Sequence, residues 1–274
     1  MASDDADRLR DFERAAHTRM APGYDAFFSP VTALATSALL DAAAVGPGQR
    51  VLDVACGPGR VAARASERGA TATGVDLAPG MVALARGLHP HVAFREAGVE
   101  ALPFDDGAFD ALVCSFGLGH FPDPELAVAE CSRVVAPGGR LAFAWWDDPS
   151  RHRLQALFRE AAAEIGAPAP ANVPVHSTLR FCDTEEFRRL LEGAGLAGVD
   201  VRGHTTEHRI PDVDALWEGG LGSLAMTAAA IVHQPGEVRA RIRSAFERRA
   251  AALRTEHGLT IPVAFLIGSG RKPA

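Results

Sequence analysis

Val51-Leu52-Asp53-Val54-Ala55-Cys56-Gly57-Pro58-Gly59-Arg60 decides the reading of the chain, because an apolar run stops at glycines and a helical pattern starts directly after them. The stretch reads as strand, tight turn, helix. Gly57 and Gly59 lack a Cβ, so the backbone there can take positive φ and can lie against a ligand. Gly57-x-Gly59-x-x-Ala62, with Asp76 nineteen residues beyond Gly57, also fits the dinucleotide fingerprint, so spacing alone does not say which nucleoside the turn would hold. Asp53 separates the choices. A carboxylate at the carboxyl end of the first strand would repel a pyrophosphate and attract an ammonium or a sulfonium.

S-adenosylmethionine carries both cations and no phosphate. VLDVACGPG followed by TGVDLAPGMVALAR resembles motif I and the acidic second-strand motif of class I S-adenosylmethionine-dependent methyltransferases. The resemblance continues through REAGVEALPFDDGAFDALVCSFGLGHFPDPELAVAECSRVVAPGGRLAFAWWD, roughly residues 50 to 147. It implies S-adenosyl-L-methionine as cofactor and methyl transfer to a small-molecule acceptor at oxygen, nitrogen or carbon, with specialised metabolism as one setting. Two other readings stay open. The same fold and cofactor serve a non-methylating cyclisation or a scaffold role in one, and the chain is a nicotinamide dehydrogenase in the other.

The composition, 47% apolar and 23% charged over 274 residues, is that of a soluble globular protein with a sizeable core. No stretch reads as a flexible linker, so a single domain is expected: an N-terminal helical lid over 1–46, a cofactor-binding core over 47–210, a helical cap over 211–257 and a closing strand over 258–274. The net charge of −6 and the lack of a long basic run argue against a nucleic-acid partner. Cys56, Cys114, Cys131 and Cys182 are widely spaced and form no C-x-x-C pair, so neither zinc nor a disulfide framework is suggested. The first twenty residues hold no apolar signal region, and Val31 to Val45 is interrupted by Thr, Ser and Asp, so no membrane partner and a cytoplasmic location are expected.

Alternating strand, turn and helix signals with continuous apolar strands predict a doubly wound, mostly parallel Rossmann-like α/β sheet. Residues 3–20 read as helix, broken by Pro22-Gly23 before Tyr24-Asp25-Ala26-Phe27-Phe28, and a second helical stretch follows over about 30–44. Strands are expected at 72–76, 91–94, 109–115, 141–146 and 199–210, with a turn at Pro137-Gly138-Gly139 and a last strand at 259–267. The helical stretch over 211–257, divided at Pro235-Gly236, either caps the acceptor, by resemblance, or is a helix pair that covers the sheet edge or forms a homodimer contact.

The expected cofactor-binding set is Tyr24, Asp53, Ala55, Gly57, Gly59, Asp76, Leu77, Met81, Gly98, Val99, Ser115 and His120. Asp76, at the end of the second strand, would accept from the ribose hydroxyls. By resemblance Tyr24 faces the methionine end, although a buried aromatic is the alternative, and Met81 lies beside the adenine or fills the core. Gly98 stands where the family usually has an Asp that accepts from the adenine amino group, so adenine recognition would fall to the backbone near Val99 and to apolar contact. His120, in the loop after the fourth strand, is the candidate catalytic base, since an acceptor hydroxyl must lose a proton and an imidazole titrates near pH 6.5. It could instead contact the cofactor or pack under the lid. Trp145, Trp146 and Asp147 leave the fifth strand on the same rim, and His152, His176 and His233 could enter the pocket. No metal is expected: His204 and His208 lie about 13 Å apart on one strand, and Asp147-Asp148 has no supporting third ligand.

Overall fold

The computed structural model describes residues 3–168 and 178–274. Among them, one sheet contains β1 (Arg50–Val54), β2 (Thr71–Asp76), β3 (Ala93–Glu96), β4 (Phe109–Ser115), β5 (Val135–Trp146), β6 (Ala197–Ile210), the two-residue β7 (Arg254–Thr255) and β8 (Gly258–Arg271). The strand order is β3-β2-β1-β4-β5-β8-β6, with β7 paired to β8. Consecutive residues of β1, β4 and the end of β5 are buried, so these strands are covered on both faces, as their continuous apolar runs require.

The first five strands pair in parallel and in a register that brings Val54, Asp76, Ser115 and Trp146 to one edge. β8 runs antiparallel to both β5 and β6. The carboxyl end of β6 and the start of β8, paired at Ile210 and Leu259, therefore project beyond that same edge. Anything inserted between them must emerge where the parallel strands end, which is where open α/β sheets bind ligands.

The helices are α1 (Ser3–Gly23), α2 (Ser29–Thr32), α3 (Thr36–Ala42), α4 (Arg60–Glu67), α5 (Pro79–Leu88), α6 (Pro124–Val134), α7 (Arg153–Ile165), α8 (Thr184–Gly193), α9 (Val213–Ser223), α10 (Ala225–Val232) and α11 (Gly236–Ala250). Three boundaries differ from the sequence expectation. Pro22 lies inside α1 and the chain passes into a π-helical turn over Tyr24–Phe28 without a break; the wider turn accommodates a residue that has no N–H to give. β3 starts at Ala93, because the Val92 N–H closes a turn onto the His89 carbonyl at 3.0 Å. Pro137-Gly138-Gly139 makes a bulge within β5, with Gly138 at φ +79°, and the Gly138 N–H donates to the Lys272 carbonyl at 2.9 Å. The expected helical insertion is α9, α10 and α11, ending in β7.

The N-terminal helix closes over the ligand edge by close backbone approach. A Cβ added at Gly80 in α5 would stand 2.4 Å from the Thr18 carbonyl oxygen of α1, and one at Gly23 would stand 2.5 Å from the Gly222 carbonyl oxygen of α9. Lid and cap therefore touch each other as well as the core. Because the obstacle at Gly80 is backbone, Gly80→Ala should cost about 1–3 kcal/mol of stability. A denaturant midpoint equal to that of the parent would show that α1 does not need this contact.

Candidate functional site

A cavity of about 440 Å³ opens at the carboxyl ends of β1, β2, β4 and β5, beneath α1, α9 and α10. The glycine turn forms one wall. Gly57 takes φ +52°, a Cβ there would meet nothing within 4 Å, and Gly57 lines the cavity, so the backbone is open to a ligand at this point. Gly59, at φ +81°, lies outside the lining: a Cβ there would meet the Phe94 ring at 2.5 Å. It serves the packing of the turn rather than the cavity. Ala55 and Phe116, at the ends of β1 and β4, also hold positive φ, at 53° and 58°; such conformations cost about 1–3 kcal/mol and gather where chain ends meet ligands.

Asp76 lines the cavity with its carboxylate held by backbone. Its Oδ2 accepts from the Gly57 N–H and its Oδ1 from the Ala78 N–H, both at 2.8 Å. Burial raises its pKa, opposed by these two bonds. Leu77, Met81, Gly98 and Val99 continue the same wall. Met81, 2% exposed, packs with Ala21 and Ala78 between α1 and α5, so both roles weighed for it describe one position. The Ser115 hydroxyl is buried and, among the described residues, has no hydrogen-bond partner; Ser115 lines the cavity. An open glycine turn, an amide-held carboxylate and an unpaired hydroxyl together fit a nucleoside bearing an aminoacid chain.

Asp53 corrects the sequence reading. It is fully buried and does not line the cavity; its Oδ2 accepts from the Ala62 N–H at 3.0 Å. Gly59 is the residue before α4 and has no side chain to cap it, so Asp53 satisfies a first-turn N–H from beneath. Burial pushes its pKa up to about 8, and one oxygen of its carboxyl is turned to the start of α4 rather than into the cavity. A carboxyl with a raised folded pKa loses stability as pH rises between about 3.8 and 8. Asp53→Asn should flatten that slope and leave cofactor affinity within about three-fold; a larger fall in a calorimetric titration would restore the charge argument.

The lid supplies groups that sequence reasoning did not single out. Glu13, 4% exposed, receives His120 Nδ1 at 3.0 Å on Oε1, and His17 Nδ1 lies 3.1 Å from its Oε2. His17 Nδ1 is also within 3.1 Å of the Glu13 carbonyl oxygen. The two imidazoles meet edge to face at 5.5 Å, and His120 meets Trp145 at 5.7 Å. Glu13 and His17 stand four apart on α1, and Glu13 falls on the apolar stripe of Leu9 and Ala16, which is the signal that was available. Tyr24 lines the cavity too, with its ring against Phe28 at 5.4 Å, and burial raises its pKa.

Burial opposes the charge on Glu13, but the two histidines overcome it and hold its carboxyl well below the usual 4.5. For His17 the same burial is outweighed by Glu13, and its pKa rises to about 9. The His17 contribution to stability is complete below pH 6.5 and is lost as pH rises through about 9, while that of Glu13 is present above 4.5 and lost on strong acidification. Amide exchange in α1, corrected for its intrinsic pH dependence, should therefore be slower at roughly pH 6 than at roughly pH 9.5. Equal protection would mean that the cluster does not hold the lid.

The opposite wall is aromatic. Phe116, Trp146 and His152 stack in sequence, at 3.8 Å and 4.1 Å between centroids. Asp147 lines this region but is paired with Arg151 at 2.6 Å. The cap contributes Ser223, Leu224, Met226 and Ile231 from α9 and α10, whereas α11 packs on α7 through Phe246 against Phe158 and Arg249 against Glu160. His233 is exposed and does not line the cavity, and His176 lies outside the described residues. Among the described residues no three His, Cys, Asp or Glu side chains converge to hold a metal ion.

An open α/β sheet with a cavity at the carboxyl ends of its parallel strands, covered by α1, α9 and α10, defines a doubly wound ligand-binding architecture. A family model described as a methyltransferase domain matches residues 52–143. The ubiquinone biosynthesis O-methyltransferase of Thiobacillus denitrificans is 30% identical over 213 residues, covering 75% of this chain and 89% of that protein. The demethylmenaquinone methyltransferase of Thermus thermophilus is 44% identical over 119 residues, 40% of this chain and 53% of that protein. Of relatives of the latter name, the chain spans about half the length. In fold, the YcgJ protein of Bacillus subtilis matches with a TM-score of 0.58 at 20% identity, over 88% of this chain and 98% of that one. The chain belongs to the class I S-adenosylmethionine-dependent methyltransferase family, and the dehydrogenase reading is set aside.

Proposed function

We propose that this protein is an enzyme that transfers the methyl group of S-adenosylmethionine to a small, largely apolar acceptor whose nucleophile carries a proton, a hydroxyl foremost. The observation that carries the reading is His120 held on Glu13 at 3.0 Å, in a cavity that Phe116, Trp145 and Trp146 also line. The O-methyltransferase relative supports oxygen as the atom methylated.

S-adenosylmethionine, when bound, supplies an electrophilic methyl group with a neutral thioether as leaving group. Asp76 would hold the ribose, Gly57 would let the backbone approach the aminoacid chain, and Met81 and Val99 would flank the adenine. A carboxylate only accepts hydrogen bonds, so in the neutral ring of His120 the hydrogen sits on Nδ1, facing Glu13. Nε2 is then the free lone pair that can take the acceptor's proton. The developing imidazolium is stabilised by the Glu13 carboxylate. Tyr24, Phe28, Trp145 and the cap exclude water, and alignment does most of what a displacement of this kind needs.

Incubation with S-adenosylmethionine and a phenolic acceptor such as caffeate tests the reading. S-adenosylhomocysteine and a product heavier by one methylene should appear in equal amounts. Tight cofactor binding with a product of unchanged mass would transfer the protein to the cyclisation or scaffold reading.

A further inference from the structure

We infer that the acceptor bears an oxyanion and that Arg159 is the residue that holds it, at the end of the cavity away from the nucleoside. On α7, Gln155, Phe158, Arg159 and Ala162 follow the i, i+3, i+4, i+7 spacing of one helix face, and all four line the cavity. Of the charged side chains on that lining, Arg10 has Asp7 at 2.5 Å and Glu100 at 3.9 Å, Glu13 has the two histidines, Asp147 has Arg151 and Asp76 has two backbone donors. Among the described residues, Arg159 has no carboxylate within 4 Å and donates no hydrogen bond. The segment 169–177, outside the described residues, contains no Asp or Glu that could serve.

The groups around it offer no other counterion. Burial pushes the Cys182 thiol up to about 11, so it is not a thiolate at neutral pH, and pushes His152 down to about 3, so its stacked ring is neutral. Glu160 is engaged by Arg153 at 2.7 Å and by Arg249 at 2.9 Å. Arg159 is exposed, so its guanidinium is open to a ligand from the cavity it lines. A guanidinium with no carboxylate partner among the described residues can receive a ligand that brings two acceptor oxygens, which its planar fork matches in geometry. Arg159 stands on α7, which packs against α10 and α11, whereas Asp76 and Gly57 stand at the carboxyl ends of β2 and β1, so Arg159 belongs to the end of the cavity under the cap and not to the nucleoside end.

The naming of this ligand as the acceptor rests on the methyl-transfer reading; the binding does not. Calorimetric titration of the protein saturated with S-adenosylhomocysteine would compare 3,4-dihydroxybenzoate, its uncharged methyl ester, and phenyl phosphate. The benzoate or the phosphate should bind about ten-fold or more tightly than the ester, and whichever is tighter identifies the oxyanion as carboxylate or phosphate. Arg159→Gln should erase the preference over the ester while leaving S-adenosylhomocysteine affinity unchanged, and Arg159→Lys, which keeps the charge, should retain part of it. Equal binding of acid and ester, failure of both anions to bind at millimolar concentration, or a loss of S-adenosylhomocysteine affinity in Arg159→Gln would overturn the assignment. If instead the protein binds no S-adenosylhomocysteine while the anion preference persists without it, the methyl-transfer reading fails and the oxyanion site stands.

Discussion

Asp76→Ala is expected to weaken S-adenosylmethionine binding by roughly thirty-fold to several thousand-fold, about 2–5 kcal/mol. Both carboxylate oxygens already accept a backbone N–H at 2.8 Å, which fixes the side chain and leaves its remaining acceptor capacity to the cavity it lines. Each charge-assisted bond to a ribose hydroxyl is worth roughly 1.5–3 kcal/mol, and water recovers part of that in the variant. The same substitution frees the Gly57 and Ala78 N–H groups, so the turn itself should loosen and thermal stability should fall by about 1–2 kcal/mol. Calorimetry on the parent and the variant, alongside a melting curve, separates the two effects. Unchanged affinity in Asp76→Ala would remove the cofactor assignment on which the proposed reaction depends.

The glycine turn, the parallel strands and Asp76 were legible because they are written locally, as an apolar run, a residue without Cβ and an acid at a strand end. Asp53 misled for the opposite reason. Its charge and its place at a strand end were visible, but its direction is set by an uncapped helix start nine residues on, and only the packed structure shows that α4 takes its carboxylate from below. His120 could be named from its loop. Its partner could not, since Glu13 lies 107 residues away and reaches it only because α1 crosses the ligand edge. Arg159 was hidden likewise: in a chain whose cations are almost all arginine, the one that lines the cavity without a carboxylate among the described residues is recognisable only after the fold has placed α7. The break expected at Pro22 failed because a wider turn carried the chain onward, an accommodation that local propensity does not report.

His120→Ala should lower kcat by about a hundred-fold to ten-thousand-fold, the usual contribution of a positioned general base, with S-adenosylhomocysteine affinity changed little. Part of the lost rate should return with added imidazole, because the cavity left by the ring is roughly the shape of the rescuing molecule. Glu13→Gln tests how the base is held. The amide keeps the volume and one acceptor oxygen but removes the charge that fixes the Nδ1 hydrogen and stabilises the imidazolium, so kcat should fall by about ten-fold to a hundred-fold while KM moves little. His17 loses its counterion in the same variant, and because burial then acts on it largely unopposed its pKa should drop from about 9 to below the ordinary value, which proton resonances of the ring would report. That shift separates a positioning role from a general loosening of the lid, since a detached α1 would also expose Tyr24 and Met81 and raise KM for both ligands. If kcat of His120→Ala stays within a few-fold of the parent, or falls only in step with cofactor affinity, the histidine serves the cofactor or the lid, and the proton must leave the acceptor by another route.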